Sequence, residues 1–495
     1  MSEDGYLEES TFQMIATNGL LRENSSQDIL RFLVKTVIEP YRVKVTEPIK
    51  FTSKEERARL LRTAGYNLFK LRAEDVIVDL LTDSGTSAMS AAQWSALMSA
   101  DESYAGATSF FKFERAAQDL LGFPHILPVH QGRAAERLFF GAKVRCGDII
   151  PSNTHFDTTR ANIQRLSGIP CDLPVENAEA DSLLFRGNID LERLRQLLRD
   201  QPERVPFGML TLTNNACAGQ PVSYDNVLAT AKLLNSFGKE LYIDAARCVE
   251  NAYLVFLRDP AFRHHTIKEI VGALMKPAAG CLMSAKKDGI ANTGGLIALR
   301  DAQLTEALKQ SLIVSEGFPT YGGLSGRDLE TIAVGFDEVT DLEYLSHRWE
   351  TAKHLAEQLV ANDVPTLTPP AMHAVYLDAL EFLPHLERAQ LPGQALVCEL
   401  YLEAGVRACE IGTVMLGGET SPRQELVRLA LPRRVYSESH YDYVAEAIIN
   451  VFHRRDQIRG FSIANNESGP LRHFTADFEP AGKVECKEAG DRSVH

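Results

Sequence analysis

Short apolar runs and amphipathic stretches alternate through the middle of the chain. HILPVH, FGMLTLTNN, KELYIDAA and AAGCLMSAKK are brief, aliphatic and strand-like. AAERLFFGAKV and YDNVLATAKLLNSFG carry helical spacing, and the second closes on Gly238, a residue suited to a helix C-terminus. Strands alternating with helices of this length predict an α/β unit with a mainly parallel sheet. SKEERARLLRTAGYNLFKL, within Phe51 to Leu81, is helix-like throughout. After Asp341 a long amphipathic helix, LSHRWETAKHLAEQLVAND, precedes mixed short strands and helices, the pattern of a smaller α+β domain. The organisation expected is an N-terminal arm over 1–40 and a large domain over 81–340. A small domain would be built from 41–80 and 341–480, and the polar stretch 481–495 is expected to be disordered. No internal repeat or low-complexity block interrupts this pattern.

Composition narrows the partners. The 495 residues are 45% hydrophobic, enough for a large core, and the formal net charge is -14. An acidic chain is poorly suited to polyphosphate backbones, so nucleic acid is not an expected partner. The eight cysteines (146, 171, 217, 248, 281, 398, 409 and 486) form no C-x-x-C pair, which points to reduced thiols in a cytoplasmic protein rather than a zinc or dithiol site. The acidic start MSEDGYLEESTFQMIATNGLL is no secretory signal, and no apolar run is long enough to span a membrane.

Candidate chemistry lies at strand ends, where open α/β sheets hold their ligands. LYID ends in Asp244, with Arg247 a helical turn later; CLMS leads into Ser284, Lys286 and Lys287; HILPVH leads into Gln131, Gly132 and Arg133. A strand-end Asp followed by a strand-end Lys suits pyridoxal 5′-phosphate (PLP), which needs a Lys amine for its Schiff base and a carboxylate for its pyridine nitrogen. A helix start after Gln131-Gly132-Arg133 would hold the phosphate, with Ser284. Singly, each residue has a plainer reading: a capping Asp, a solvated Lys pair, a Gly in a tight turn. The G-x-G-x-x-G fingerprint is missing, which argues against a nicotinamide dehydrogenase.

From about Tyr41 to about Phe478 the chain resembles the β-eliminating lyases, the family of tryptophanase and tyrosine phenol-lyase. The resemblance is carried by LLTDSGTSAMS, ADESYAG, HQGRAAE, AGQPVS, DAARCVENAY, MSAKKD, EGFPTYGGLSGRDLE, LVRLALPRRVY and LRHFTADF. It implies a homotetramer with the aspartate-aminotransferase-like fold (fold type I) of PLP enzymes. It also implies that Lys287 forms the Schiff base and takes the substrate α-proton, with Lys286 a neighbour lacking that covalent role. Asp244 would pair with the pyridine nitrogen, Arg247 and Asn215 with the ring hydroxyl, and Phe156 would stack on the ring. Gln131, Gly132, Arg133 and Ser284 would hold the phosphate. Arg428 would clamp the substrate carboxylate, a task that suits a planar, permanently charged fork, assisted by Thr82, Ser84 and Asn215. A monovalent cation, normally potassium, would sit on the backbone oxygens of Gly85 and Asn292 and the carboxylate of Glu102.

The family's two activities differ at the leaving group. Where tyrosine lyases place an Arg for the phenol oxygen, this chain has Ile411, an apolar wall for indole. Asp157 follows the stacking Phe156 where tyrosine lyases have Thr; its carboxylate can accept the indole N–H. His473 stands where they have Phe. RCVENAY and LPRRVY are closer to the tyrosine branch, and the loop around Lys143–Asp148 is shorter than usual. The resemblance thus implies β-elimination of L-tryptophan to indole, pyruvate and ammonia, with Tyr104 as the acid that protonates the indole beside Asp157 and His473. Tyrosine phenol-lyase and another amino-acid β-lyase are the alternatives.

Overall fold

The computed structural model describes residues 38–175, 184–416, 424–464 and 471–481. The arm through residue 37 and the tail from residue 482, with Cys486, lie outside the described residues. Seven strands form the large sheet region: β1 His125–Val129, β2 Ile149–Ser152, β3 Ile169–Asp172, β4 Phe207–Thr211, β5 Glu240–Asp244, β6 Gly280–Ser284 and β7 Gly295–Leu299. Five of them pair in the order β1-β7-β6-β5-β4. β4, β5 and β6 are parallel, with Thr211 opposite Asp244 and Asp244 opposite Leu282, while β7 runs against both of its neighbours. The parallel pair β2-β3 is stitched on by a side chain. Asn153 donates from Nδ2 to the Thr211 carbonyl at 2.9 Å and accepts the Thr211 N–H at 2.9 Å.

Both faces of this sheet are buried, which explains the nearly unbroken apolar strands. Leu127, Met209, Tyr242, Leu282 and Ile297 pack against Leu138 and Phe139 of helix Gly132–Lys143. Their neighbours Ile126, Leu210, Ile243, Met283 and Leu296 point into the opposite core. The mainly parallel α/β expectation holds, including the helix that closes on Gly238: Tyr224–Ser236 is followed by Gly238 at φ +67°, whose N–H bonds the Asn235 carbonyl.

A second core surrounds a three-stranded antiparallel sheet, β8 Ala374–Asp378, β9 Cys409–Ile411 and β10 Leu426–Ala430, in the order β9-β10-β8. Leu61, Leu68 and Val78 from early in the chain bury here with Leu396, Val427 and Ile448. The stretch read as helix-like up to Leu81 is α-helical only over Lys54–Thr63. Gly65 and Tyr66 take left-handed backbone at φ +61° and +55°, and the Tyr66 N–H returns to the Leu61 carbonyl, closing the helix. A side chain at Gly65 would stand 2.1 Å from Asp477 Oδ1, so this turn needs glycine twice over. The chain then forms a short 3-10 turn, Leu68–Lys70. Helix Leu342–Val360 runs from one core into the other: Tyr344, Leu345 and Trp349 lie in the first, Ala352, Leu355 and Leu359 in the second. Among the described residues no helix is long and apolar enough to cross a membrane, and the seven described cysteines are free thiols.

Candidate active site

The parallel strands β4, β5 and β6 end on one edge of the sheet, and a cavity of about 270 Å³ opens there, closed on its far side by residues of the second core. Its first end is built to hold an anion. Gln131, Gly132, Arg133, Ser284 and Lys286 line it where helix Gly132–Lys143 begins. A Cβ on Gly132 would lie 2.8 Å from the Ser284 Cβ, so only glycine lets the helix start approach β6 this closely. Lys286 Nζ donates to Gln131 Oε1 at 3.4 Å.

In the middle, Lys287 is 8% exposed, with its Nζ 5.8 Å from the centre of the Phe156 ring. Burial, reinforced by the Arg247 charge, pushes its amine down to about 8, so a useful fraction is a neutral nucleophile near pH 7. Asp244 lies at the end of β5 and accepts the Ala246 N–H at 3.1 Å; burial pushes its carboxyl up, the state of an acid that lacks a close cation. A ring nitrogen carrying a proton would supply one. Asn215 accepts at Oδ1 from Tyr376 Oη at 3.1 Å, with His373 Nε2 also at 3.1 Å, which leaves its amide to donate into the cavity. Arg247 is held by Asp83 through Nε at 3.0 Å and Nη2 at 2.7 Å, a two-point grip that fixes its plane at the cavity wall. A neutralised buried amine, a carboxylate awaiting a cation and a glycine-lined anion cradle together fit PLP.

The other end is aromatic and apolar: Phe69, Leu81, Cys409, Met415 and Phe474. Phe474 and Phe69 meet edge to face with centroids 4.8 Å apart, and Phe474 lies 3.9 Å from the His473 ring. Two polar groups interrupt this wall. Asp157, at the start of helix Asp157–Arg165, accepts the Thr158 N–H at Oδ1, and its Oδ2 lies 3.8 Å from His473 Nε2. Burial raises the Asp157 carboxyl, while burial and the Arg428 charge hold the His473 imidazole down at about 4, a neutral ring. Arg428, on the central strand β10, donates from Nη2 to the Leu81 carbonyl at 2.8 Å and lines the cavity between its two ends. Thr82 and Ser84 line it as well, with the Ser84 N–H bonded to Thr82 Oγ1 at 3.1 Å.

Some expected residues fall elsewhere. Tyr104 is 72% exposed, packed edge-on with Tyr321 at 5.4 Å and beside Phe318 at 5.7 Å, away from the cavity of its own chain. Ile411 shares the face of β9 with Cys409 but is buried against Leu426 and Tyr376, one position behind the wall. Gly85 and Asn292 are neighbours, the Asn292 amide bonding the Gly85 carbonyl at 3.0 Å. Glu102 instead accepts from the Gly326 N–H at 3.0 Å and lies 3.4 Å from Arg327 Nε.

Other lining residues had no role assigned from the sequence. Phe69 arrives by the turn that Gly65 creates, a tertiary placement without a local signature. Glu136 and Asp83 sat inside the motifs HQGRAAE and LLTDSGTSAMS; a charge in an apolar stretch was the available signal. Glu136 ties the helix of the anion cradle to the helix of Asp157, accepting from Thr159 Oγ1 at 2.9 Å and Asn162 Nδ2 at 3.0 Å.

Strand order, cavity position and donor set define a class, the α/β fold of PLP-dependent enzymes. Solved structures agree on the fold. A serine palmitoyltransferase from Sphingomonas wittichii superposes with a TM-score of 0.57 at 15% identity, over 82% of this chain and 97% of that one. A serine palmitoyltransferase from S. paucimobilis with bound PLP gives 0.55 at 12% identity, over 77% of this chain and 89% of that one. A profile of the beta-eliminating lyase family matches residues 79–447. A tryptophanase from Hyphomonas neptunium is 52% identical over 90% of this chain and 100% of its own length. Another from Salinibacter ruber is 48% identical over 90% and 96%. A tyrosine phenol-lyase from Symbiobacterium thermophilum is 43% identical over 89% and 98%. The chain belongs to the β-eliminating lyase family.

Proposed function

We propose that the cavity binds PLP and carries out β-elimination of L-tryptophan to indole, pyruvate and ammonia. The observation that carries the choice of substrate is the meeting of Asp157 and His473, 3.8 Å apart, inside an otherwise aromatic and apolar end. An indole ring would bury its faces there and offer its N–H, a pure donor, to the Asp157 carboxylate. A phenol oxygen would meet no cation at that end, since the Arg of tyrosine lyases is replaced by the buried Ile411.

Bound PLP supplies an electron sink for the substrate α-carbon. The chain's own residues supply the rest. Gln131, Gly132, Arg133 and Ser284 hold the phosphate, with Lys286 adding charge. Phe156 covers the ring, Asp244 keeps its nitrogen protonated, and Arg247 with Asn215 bonds its hydroxyl. Arg428, Thr82, Ser84 and Asn215 hold the amino-acid carboxylate. Lys287 carries the cofactor and, once released, removes the α-proton as a neutral amine.

Carbon 3 of the indole must gain a proton before it leaves. Tyr104 has that role in this reading, delivered from the surface of one chain to the cavity of a neighbour in a homotetramer. The exposed Tyr104 and Glu102 are compatible with that, as is a potassium site completed by Gly85 and Asn292 between chains. The two cores correspond to a large domain over 81–340 and a small domain from 41–80 with 341–480, in a cytoplasmic enzyme. The test is pyruvate release by the purified protein with PLP and potassium, comparing L-tryptophan with L-tyrosine. Indole from tryptophan with tyrosine nearly inert is expected; phenol from tyrosine would overturn the substrate assignment.

A further inference from the structure

Behind the cavity lies a buried cluster of charge. Arg247, Arg348 and Arg433 face Asp83, Glu250 and Asp288, each at 6% exposure or less. Arg433 is the centre. Its Nη1 donates to the Asp83 carbonyl at 3.2 Å and to Asp83 Oδ2 at 3.1 Å; its Nη2 donates to Glu250 Oε1 at 2.6 Å and Asp288 Oδ1 at 3.1 Å. Its own carbonyl accepts the Ala88 N–H at 3.0 Å. Arg348 reinforces it, bonding Glu250 Oε1 at 2.8 Å and the Leu431 carbonyl at 3.0 Å. Against the cost of burial, the arginines hold the carboxyls of Asp83 and Glu250 well below the usual range, so both are ionised.

Three segments converge on this one guanidinium. Asp83 sits between Thr82 and Ser84. Asp288 follows Lys287, and its other oxygen accepts the Val249 N–H at 2.7 Å. Arg433 itself closes the segment that leaves β10, the strand of Arg428. Lys287 and Arg428 therefore stand on different cores, and a substrate held by Arg428 must present its α-carbon to Lys287. A misplacement of about 1 Å in such a pair can cost about 10²-fold in rate.

We propose that Arg433 is a positioning residue, a buried clasp that sets the substrate-carboxylate subsite in register with Lys287. The inference rests on the roles given above to Lys287 and Arg428. Stability alone is a poor reason for the cluster, because well-packed apolar side chains often replace buried ion pairs without loss. What an apolar replacement cannot reproduce is a directional, four-acceptor lock between three loops.

The test uses PLP-loaded enzyme and L-alanine, which has no leaving group, so that exchange of its α-proton with deuterium, followed by NMR, reads only the alignment of Lys287 with the α-carbon. Arg433→Met and Arg433→Lys are expected to lower the maximal exchange rate about 10²-fold, with a much smaller change in KM and the cofactor still bound. A folded Arg433→Met enzyme that exchanges within about twofold of wild type, well inside that loss, overturns the proposal. If that variant does not fold, Asp288→Asn keeps the volume while weakening one contact. A drop in its maximal exchange rate at unchanged melting temperature supports the clasp, and unaltered exchange refutes it. Wild-type exchange on alanine without indole from tryptophan sinks only the leaving-group reading; no wild-type exchange at all sinks both.

Discussion

Asp157→Asn isolates the contact that selects indole. Oδ1 of Asp157 is already occupied by the Thr158 N–H at 2.6 Å, and an asparagine oxygen can keep that bond, so the helix start is preserved. Only the charge at Oδ2, facing His473 and the cavity, is lost. A hydrogen bond to a charged group is worth about 1.5–3 kcal/mol and a neutral one about 1 kcal/mol. The difference, about 1–2 kcal/mol, corresponds to about 5–30-fold in kcat/KM. The assay is pyruvate release from L-tryptophan and, in parallel, from an S-alkyl-L-cysteine, whose thiol leaving group has no N–H to offer. Tryptophan turnover should fall by that factor while the cysteine derivative is barely affected. The pH profile adds a sign. Burial raises the Asp157 carboxyl above the usual carboxylate range, so wild-type activity on tryptophan falls as pH drops through that raised value, and the asparagine variant lacks this limb. Equal loss on both substrates, or an unchanged acid limb, would refute the assignment of Asp157 to the leaving group.

Three other outcomes are expected. Gly132→Ala pushes a methyl to 2.8 Å from the Ser284 Cβ, so the anion cradle opens and PLP affinity falls, read by equilibrium dialysis of the cofactor against the otherwise folded protein. Gly65→Ala forces a side chain into left-handed backbone and onto Asp477 Oδ1; it should lower stability by about 1–3 kcal/mol, seen as a reduced melting temperature, and a neutral result would show that the turn relaxes freely. His473 is held neutral, its value brought from 6.5 to about 4, so the folded state takes up a proton less readily than the unfolded chain. Its contribution is complete above pH 6.5 and lost as pH falls towards 4, by up to about 3 kcal/mol; His473→Phe should flatten the acid side of the stability profile by one proton in urea melts.

The large sheet was readable because its strands are buried on both faces, and a strand with no polar side leaves little room for another assignment. The strand-end positions of Asp244, Ser284 and Lys287 followed from the same reading. What could not be read was anything settled by a single backbone turn or by assembly. The helical spacing of SKEERARLLRTAGYNLFKL continues past Gly65, yet the chain turns there because Asp477, some four hundred residues later, occupies the space a side chain would need. Phe69 enters the cavity only as a result. Ile411 was placed by motif alignment at the wall, but the pairing of β9 with β10 buries it one position behind. Tyr104 belongs to ADESYAG by motif and to the surface by geometry, and no local pattern tells which chain's cavity a surface tyrosine serves.

Helix Leu342–Val360 bears on how this chain can be recombined with its relatives. One rod contributes Trp349 to the first core and Ala352 to the second, so the seam between the two halves falls inside a single helix rather than in a linker. A chimaera joined near residue 341, where the change of sequence character invites the cut, would place the first half of the helix against a foreign partner and expose mismatched packing around Tyr344 and Leu345. A crossover between Trp349 and Ala352 keeps each set of apolar contacts with its own parent, and the buried partnership of Arg348 and Arg433 would then have to be carried across as a matched pair.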